Sequence, residues 1–321
     1  MQARQFAVAL VATLAAATAS AQPYPSKPSR IIVPFPPGGY TDVTARVIAQ
    51  ALTEKLGQPF VVENRPGAGT VIGAEAVAKA PADGHTLLYS GASTFTVNPV
   101  LLKSLPYDPL KSFAPVGLAT KTPMVLLVHP SLPARSVKEL VALVQANPGK
   151  HPYGSFGAGT ISHFAGEVFI AAAGLKMLHV PYKGSTPLMN DLVGGQVPVS
   201  FDTLVVSAPQ MRSGKVRGLA MMTKDRTPLF PDVPTVAESG YPTVDVGTWC
   251  AFVAPAGTPE AVTRKLRDEI AAIVARKDVM DRFHALGVES VTPTPEHYVE
   301  TVRAEQQRLG KIAKDADIRA E

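Results

Sequence analysis

Cysteine is almost absent. Cys250 stands alone in 321 residues, so no intramolecular disulfide can hold the fold and apolar packing must do so. Charge is also sparse, at 18% of residues against roughly 25% in an average domain, and no Lys/Arg run forms a stripe able to neutralise phosphates. Nucleic acid is therefore disfavoured as a partner, and with 31 Lys+Arg against 26 Asp+Glu a small anion suits the chain better than a polyanion. Metal-ligand spacing is missing, because His85, His129, His151, His163, His179, His284 and His297 include no H-x-x-x-H pair, and no metal is expected. Nucleotide motifs fail too: Gly67-Ala68-Gly69-Thr70-Val71-Ile72-Gly73 has its last glycine one residue late, and no loop ends in G-K-[ST], so no cofactor is expected. Long apolar runs are confined to the start. Arg4, the uncharged stretch Phe6 to Ala17, too short to span a bilayer, and Ala19-Ser20-Ala21 together predict an export signal (1–21) cleaved after Ala21. The mature net charge would then be 30 − 26 = +4, since Arg4 is lost.

Proline is abundant instead: 30 residues, nearly twice the usual ~5%, which predicts many abrupt element ends. The length suggests two domains. Short apolar runs alternate with amphipathic segments. Strands are expected at Arg30 to Phe35, Phe60 to Glu63 and Thr86 to Tyr89, with helices over Thr41 to Leu56 and about Thr70 to Ala80, which reads as βαβαβ. The pattern recurs after a Ser136/Glu139 capping box, with a strand near His151 to Tyr153 and a helix from about Thr160. The fold class is therefore α/β, each lobe a mostly parallel sheet flanked by helices. The apolar strands Met124 to His129 and Trp249 to Ala254 are read as crossings between two lobes. The division becomes 22–123 plus 252–321 for lobe I and 124–251 for lobe II, with a hinge and a cleft. Thr258 and Thr294 are expected to cap C-terminal helices that return to the first lobe, and Cys250 to be buried beside Trp249 and Phe252.

Ligands of open α/β sheets lie beyond the carboxyl ends of the strands, at the loops feeding helix starts. The first such loop is Pro34-Phe35-Pro36-Pro37-Gly38-Gly39-Tyr40-Thr41-Asp42, where two glycines can turn backbone N–H groups inward. The second, Tyr153-Gly154-Ser155-Phe156-Gly157-Ala158-Gly159-Thr160, also lacks Lys and Arg, so the pair reads as an anion cradle. Asp42 has two readings, an i,i+4 pair with Arg46 or an acceptor in the cleft. Asp202 likewise reads as the N-cap of a helix near Leu204 or as a ligand contact at a strand end. Tyr182-Lys183-Gly184 and Ser90 to Asn98 could rim the same opening.

These segments resemble the substrate-binding receptors of tripartite tricarboxylate transporters, the Bug family, over essentially the whole mature chain. The resemblance is carried by PFPPGGYTDVTAR, VENRPGAGTVIGAEAVAKAPADGHTLL, NPVLLKSLPYDPLKSFAPVG, NPGKHPYGSFGAGTISHFAGEVF, HVPYKGSTPLMNDLVGGQVPVSFD, DVPTVAESGYP and WCAFVAPAGTP. It implies a periplasmic, two-lobed type II Venus-flytrap fold that binds a small organic carboxylate and delivers it to membrane permease subunits. The ligand loops it implies are Phe35, Gly38, Gly39, Thr41 and Asp42 with Ser155, Gly157, Ala158, Gly159, Thr160 and His163. Ligand-selective contacts would come from Ala92, Ser93, Tyr182, Lys183 and Asp202, and Tyr40, where smaller residues are common, would narrow the site or stack on a flat ligand such as an aromatic carboxylate. The chain is expected to act as a monomer and not as an enzyme. Three other readings stand beside this one: a serine hydrolase using Ser155 with His163, a ligand sensor feeding a two-component system, and the effector-binding lobes of a regulator.

Overall fold

The computed structural model describes residues 24–319, so the expected export signal lies outside the described residues. The first strand, β1 (Ser29–Val33), leads through a loop into α1 (Tyr40–Leu56), which stops at Gly57, whose φ of 69° returns its N–H to Thr53 O. β2 (Phe60–Asn64), α2 (Val71–Ala78) and β3 (Thr86–Gly91) complete the βαβαβ unit, and β1 pairs parallel with both β2 and β3. A π-helical turn (Ser93–Val97), the short α3 (Asn98–Leu101) and the 16-residue β4 (Phe113–Val128) follow.

The second unit contains α4 (Val137–Ala146), β5 (Tyr153–Ser155), α5 (Ile161–Ala173), β6 (His179–Pro181), α6 (Ser185–Val193), β7 (Val199–Thr203), α7 (Leu204–Arg212) and β8 (Arg217–Met221). Half of the expected capping box forms. Ser136 Oγ accepts from Glu139 N, while the Glu139 carboxylate takes Arg135 N rather than Ser136 N. β9 (Gly247–Pro255), α8 (Glu260–Val274), α9 (Lys277–Ala285), β10 (Glu289–Ser290) and α10 (Pro295–Asp315) close the chain. Thr294 caps α10 as expected, accepting from His297 N, but Thr258 gives its hydroxyl to Pro255 O and α8 starts behind Pro259.

One strand joins the two halves. Phe113 to Pro123 of β4 pairs with β9, whereas Met124 to Val128 pairs with β7 on one side and β8 on the other. The strand order is β2-β1-β3-β9-β4-β7-β5-β6, with parallel pairing inside each βα unit and antiparallel pairing wherever β4 or β9 takes part. The change of sheet along β4 falls at 123–124. β9 differs from the sequence reading, because Gly247 to Ala251 already pair with β4 residues of the first sheet, so hydrogen bonding places the return near Val246 rather than at 251–252.

Central strands of the first half bury both faces, which explains their continuous apolar runs. Ile31, Val33, Leu87, Tyr89, Phe252 and Ala254 pack toward α1 and α8, while Ile32, Leu88, Ala251 and Val253 join the larger core on the other face. Hydroxyls bridge this interior: Tyr40 Oη and Tyr89 Oη lie 2.7 and 2.8 Å from Thr120 Oγ1.

Candidate functional site

Helix starts dominate the centre of the molecule. α1, α5, α6 and α7 begin with buried residues, and none of the four has a side-chain cap. Each start leaves N–H groups without intrahelical partners and adds a partial positive charge. Between them lies an inner pocket of about 30 Å³, room for a water or two, lined by Gly39, Tyr40 and Thr41 at the start of α1, Ile161 of α5, Ser185 of α6 and Thr203 at the start of α7. Gly91, Ala92 and Ser93 after β3 and Thr248 and Cys250 of β9 complete the wall. An outer cavity of about 730 Å³ adjoins it, and Phe35, Pro36 and Phe156 line both. Phe35 and Phe156, one from each half, meet edge-to-face at 6.0 Å.

The first loop is held from behind by Asp42. Its carboxylate accepts from Gly38 N at 3.0 Å and Asn64 Nδ2 at 2.9 Å and pairs with Arg46 at 2.9 Å. Burial works against its charge, but those donors outweigh it and keep the carboxyl below the usual range. Asp42 lines neither cavity, so its geometry is that of a loop support. Of the two glycines, only Gly38 needs backbone freedom, with a φ of +91°, whereas Gly39 sits at −81°, open to any residue. Tyr40 lines the inner pocket, with its hydroxyl turned into the core, 2.7 Å from Thr120 Oγ1.

The second loop spends much of its polarity on itself. Gly157 N bonds Ser155 Oγ, Phe156 N bonds Ser162 Oγ, and Thr160 Oγ1 donates to Gly157 O at 2.6 Å. Gly157, Ala158, Gly159 and Thr160 line the outer cavity, but Ser155 and His163 line neither. Ser155 Oγ lies 2.7 Å from His179 Nε2, and His163 stacks on His179 at 4.1 Å, so the serine meets a different histidine from the one expected. Burial pulls the His179 imidazole down to about 4, which leaves it neutral at pH 7.

The two halves touch around the pocket. Ile161 N, the first N–H of α5, donates to Ser93 Oγ at 3.0 Å, and Thr186 Oγ1 donates to Pro37 O at 3.2 Å. Tyr182, Lys183 and Gly184 line the outer cavity as expected of that rim, with Tyr182 Oη donating to Asp191. Asp202 is not the cap of α7, since Thr203 holds that position. Its Oδ1 accepts from Ser185 Oγ and Thr203 N, both at 2.7 Å, and burial raises the carboxyl to about 6.

Ser185, Thr203 and the 66–71 segment are not among the site residues read from the sequence. The first two stand at strand-to-helix junctions, so applying the strand-end rule to every βα turn would have found them. Pro66 to Val71, set aside as a failed dinucleotide motif, form one wall of the outer cavity. Cys250 is buried as expected; it also faces the inner pocket, and burial pushes its thiol up to about 12.

Comparison with known proteins agrees with this architecture. The family model described as tripartite tricarboxylate transporter family receptor matches residues 44–318, and the chain belongs to that family. BugT of Bordetella pertussis (strain Tohama I) is 40% identical over 301 residues, which are 94% of this chain and 92% of that protein. The structure of the periplasmic binding protein BugD superposes with a TM-score of 0.89 at 37% identity, covering 93% of this chain and 100% of that one. An R. palustris protein solved with adipate gives 0.89 at 35% identity over 92% and 98% of the two chains, and MatC from Rhodopseudomonas palustris with bound malate gives 0.85 at 33% over 90% and 99%. The family and the fold are those of solute-binding proteins of the periplasm, and among the described residues no helix is long and apolar enough to cross a membrane.

Proposed function

We propose that the protein is a periplasmic receptor that captures a small organic carboxylate between its two halves and delivers it to a membrane permease of the tripartite tricarboxylate type. The observation that carries this reading is the convergence on one pocket of four buried helix starts whose own N-cap side chains make no capping bond, which supports an anion site of backbone N–H groups and helix dipoles. Adipate and malate in the related structures support the ligand class. The lobes, residues 22 to about 123 with about 247–321 and the stretch between, close on the ligand by bending at the change of sheet along β4 and at the return near Val246, because contacts such as Ser93 to Ile161 exist only when they meet. Export with cleavage after Ala21 and action as a monomer belong to the same reading.

A thermal-shift screen of the purified protein against aliphatic and aromatic carboxylates tests it. A ligand at 100 times its dissociation constant stabilises by about 2.7 kcal/mol, and a flat response across a broad panel would refute the reading. Ser155 and His179 offer a hydrolase little, since neither lines the inner or the outer cavity.

A further inference from the structure

The inner pocket is too small for a whole ligand. At about 30 Å³ it takes little more than one carboxylate group, so the rest of any ligand anchored at the helix starts must lie past Phe35 and Phe156, in the outer cavity of about 730 Å³. The chemistry of that second space therefore decides which carboxylates are taken. Pro34, Pro66, Val71 and Leu102 line it together with the two phenylalanine rings. Among the described residues Lys183 is the one charged side chain that lines either cavity, and it is exposed. Several donors beside the outer cavity are already spent within the protein: Gly157 N on Ser155 Oγ, Gly159 N on His163 Nδ1, Asn98 Nδ2 on Gly69 O and Tyr182 Oη on Asp191. A second carboxylate in this space would give up water for donors that are engaged elsewhere, and a contact with an exposed ammonium returns little. Phe156 is buried and held at both ends of its backbone, its N–H on Ser162 Oγ at 3.2 Å and its carbonyl accepting from Gly184 N at 3.1 Å. Its ring is thus a fixed apolar wall where the two cavities meet.

We infer that the protein selects monocarboxylates with an apolar body, aliphatic or aromatic, over polycarboxylates of the same length, and that Phe156 is the specificity-determining side chain against which that body packs. The inference rests on the carboxylate-receptor reading. The head carboxylate lies in the inner pocket, and the body passes beside the Phe35–Phe156 pair and buries its carbons in the outer cavity. Each methylene that leaves water there tightens binding by about threefold, a gain that a terminal carboxylate forfeits. Such a preference would set this chain apart from the relatives solved with adipate and malate.

Calorimetry with length-matched pairs tests it: butyrate against succinate, hexanoate against adipate, octanoate against suberate, and 4-methylbenzoate against terephthalate. In whichever pair binds, the monocarboxylate is expected to bind at least about tenfold tighter, and Phe156→Ala to shrink that ratio to about threefold or less. Equal or tighter binding of the dicarboxylate overturns the inference, as does a ratio unchanged in Phe156→Ala. Failure of all these compounds, with hits elsewhere in the carboxylate screen, overturns it while sparing the receptor reading; failure of the whole screen removes both. The wild-type pairs need no variant, so a Phe156→Ala protein that failed to fold would leave the test intact.

Discussion

Eight of the ten labelled helix starts fall into two kinds. α4, α8, α9 and α10 begin at the surface, and each carries an acidic residue in its first turn: Glu139, Glu260, Asp278 and Glu296. Ser136 and Thr294 cap two of them in addition. α5, α6 and α7 begin at the pocket with no acid in the first turn and no side-chain cap, and the one acid at the start of α1, Asp42, is turned back to Gly38 and Arg46. The surface helices complete themselves, whereas the pocket helices are left for something else to complete. On the proposed function, anion affinity would arise from what the sequence withholds at selected junctions, not from added basic side chains.

The largest expected effect probes the buried carboxylate next to the starts of α6 and α7. Burial raises the folded Asp202 carboxyl to about 6, above the usual carboxylate range, so its contribution to stability is full below about pH 4 and is lost as pH rises through 6. An Asn at this position has no such loss, so the stability of D202N relative to wild type should grow by up to about 3 kcal/mol between pH 4 and pH 7. Denaturant melts of both proteins at the two pH values measure it, and the difference cancels the other carboxylates. A pH-independent difference would show that Asp202 is not a strained anion.

Next in size is the loop at α1. Gly38→Ala forces a side chain to a φ of +91° with its Cβ 2.9 Å from Thr186 Oγ1, and should cost about 1–2 kcal/mol of stability and weaken ligand binding. Gly39→Ala, at an extended φ with its nearest neighbour at 3.8 Å, should stay within about 0.5 kcal/mol in the same melts. Equal costs at the two glycines would remove the distinction drawn between them.

The two kinds of cap can then be separated directly. Ser136→Ala at a surface start should lower stability by about 1 kcal/mol and leave ligand affinity unchanged. Ser93→Ala removes the acceptor that reaches α5 from the other half, so it should weaken ligand binding a few-fold, under about 1 kcal/mol, with the thermal midpoint of the ligand-free protein nearly unmoved. Calorimetry beside thermal melts reads both, and the reverse assignment would break the comparison.

How far this was legible beforehand depends on the range of the interaction. β1 to β3 with their helices follow from local periodicity, and the crossing at β4 from the run Met124 to His129. Positions of the two glycine loops beside the cavities follow from the same local pattern, since glycines mark strand-to-helix turns. Directions of side chains do not. Tyr40 is drawn inward by Thr120, 80 residues away, and Ser155 by His179, which no spacing rule connects to it. The extent of β9 was misjudged for a related reason: its first residues look like any apolar crossing, and only pairing with Pro123 and Thr122 assigns them to the first sheet.

The strand order also dictates a sequence of assembly. Residues from Met124 to about Val246 form a contiguous stretch whose strands β5 to β8 pair among themselves and with the end of β4. The other half has β9 at its centre, between β3 and β4, and β9 arrives more than a hundred residues after β4 begins. As the chain emerges from its N-terminus, the early βαβαβ segment must wait with an open sheet edge while the later half completes itself. Its long-range pairings make it the slower half to form, and the one exposed to mispairing until β9 is inserted.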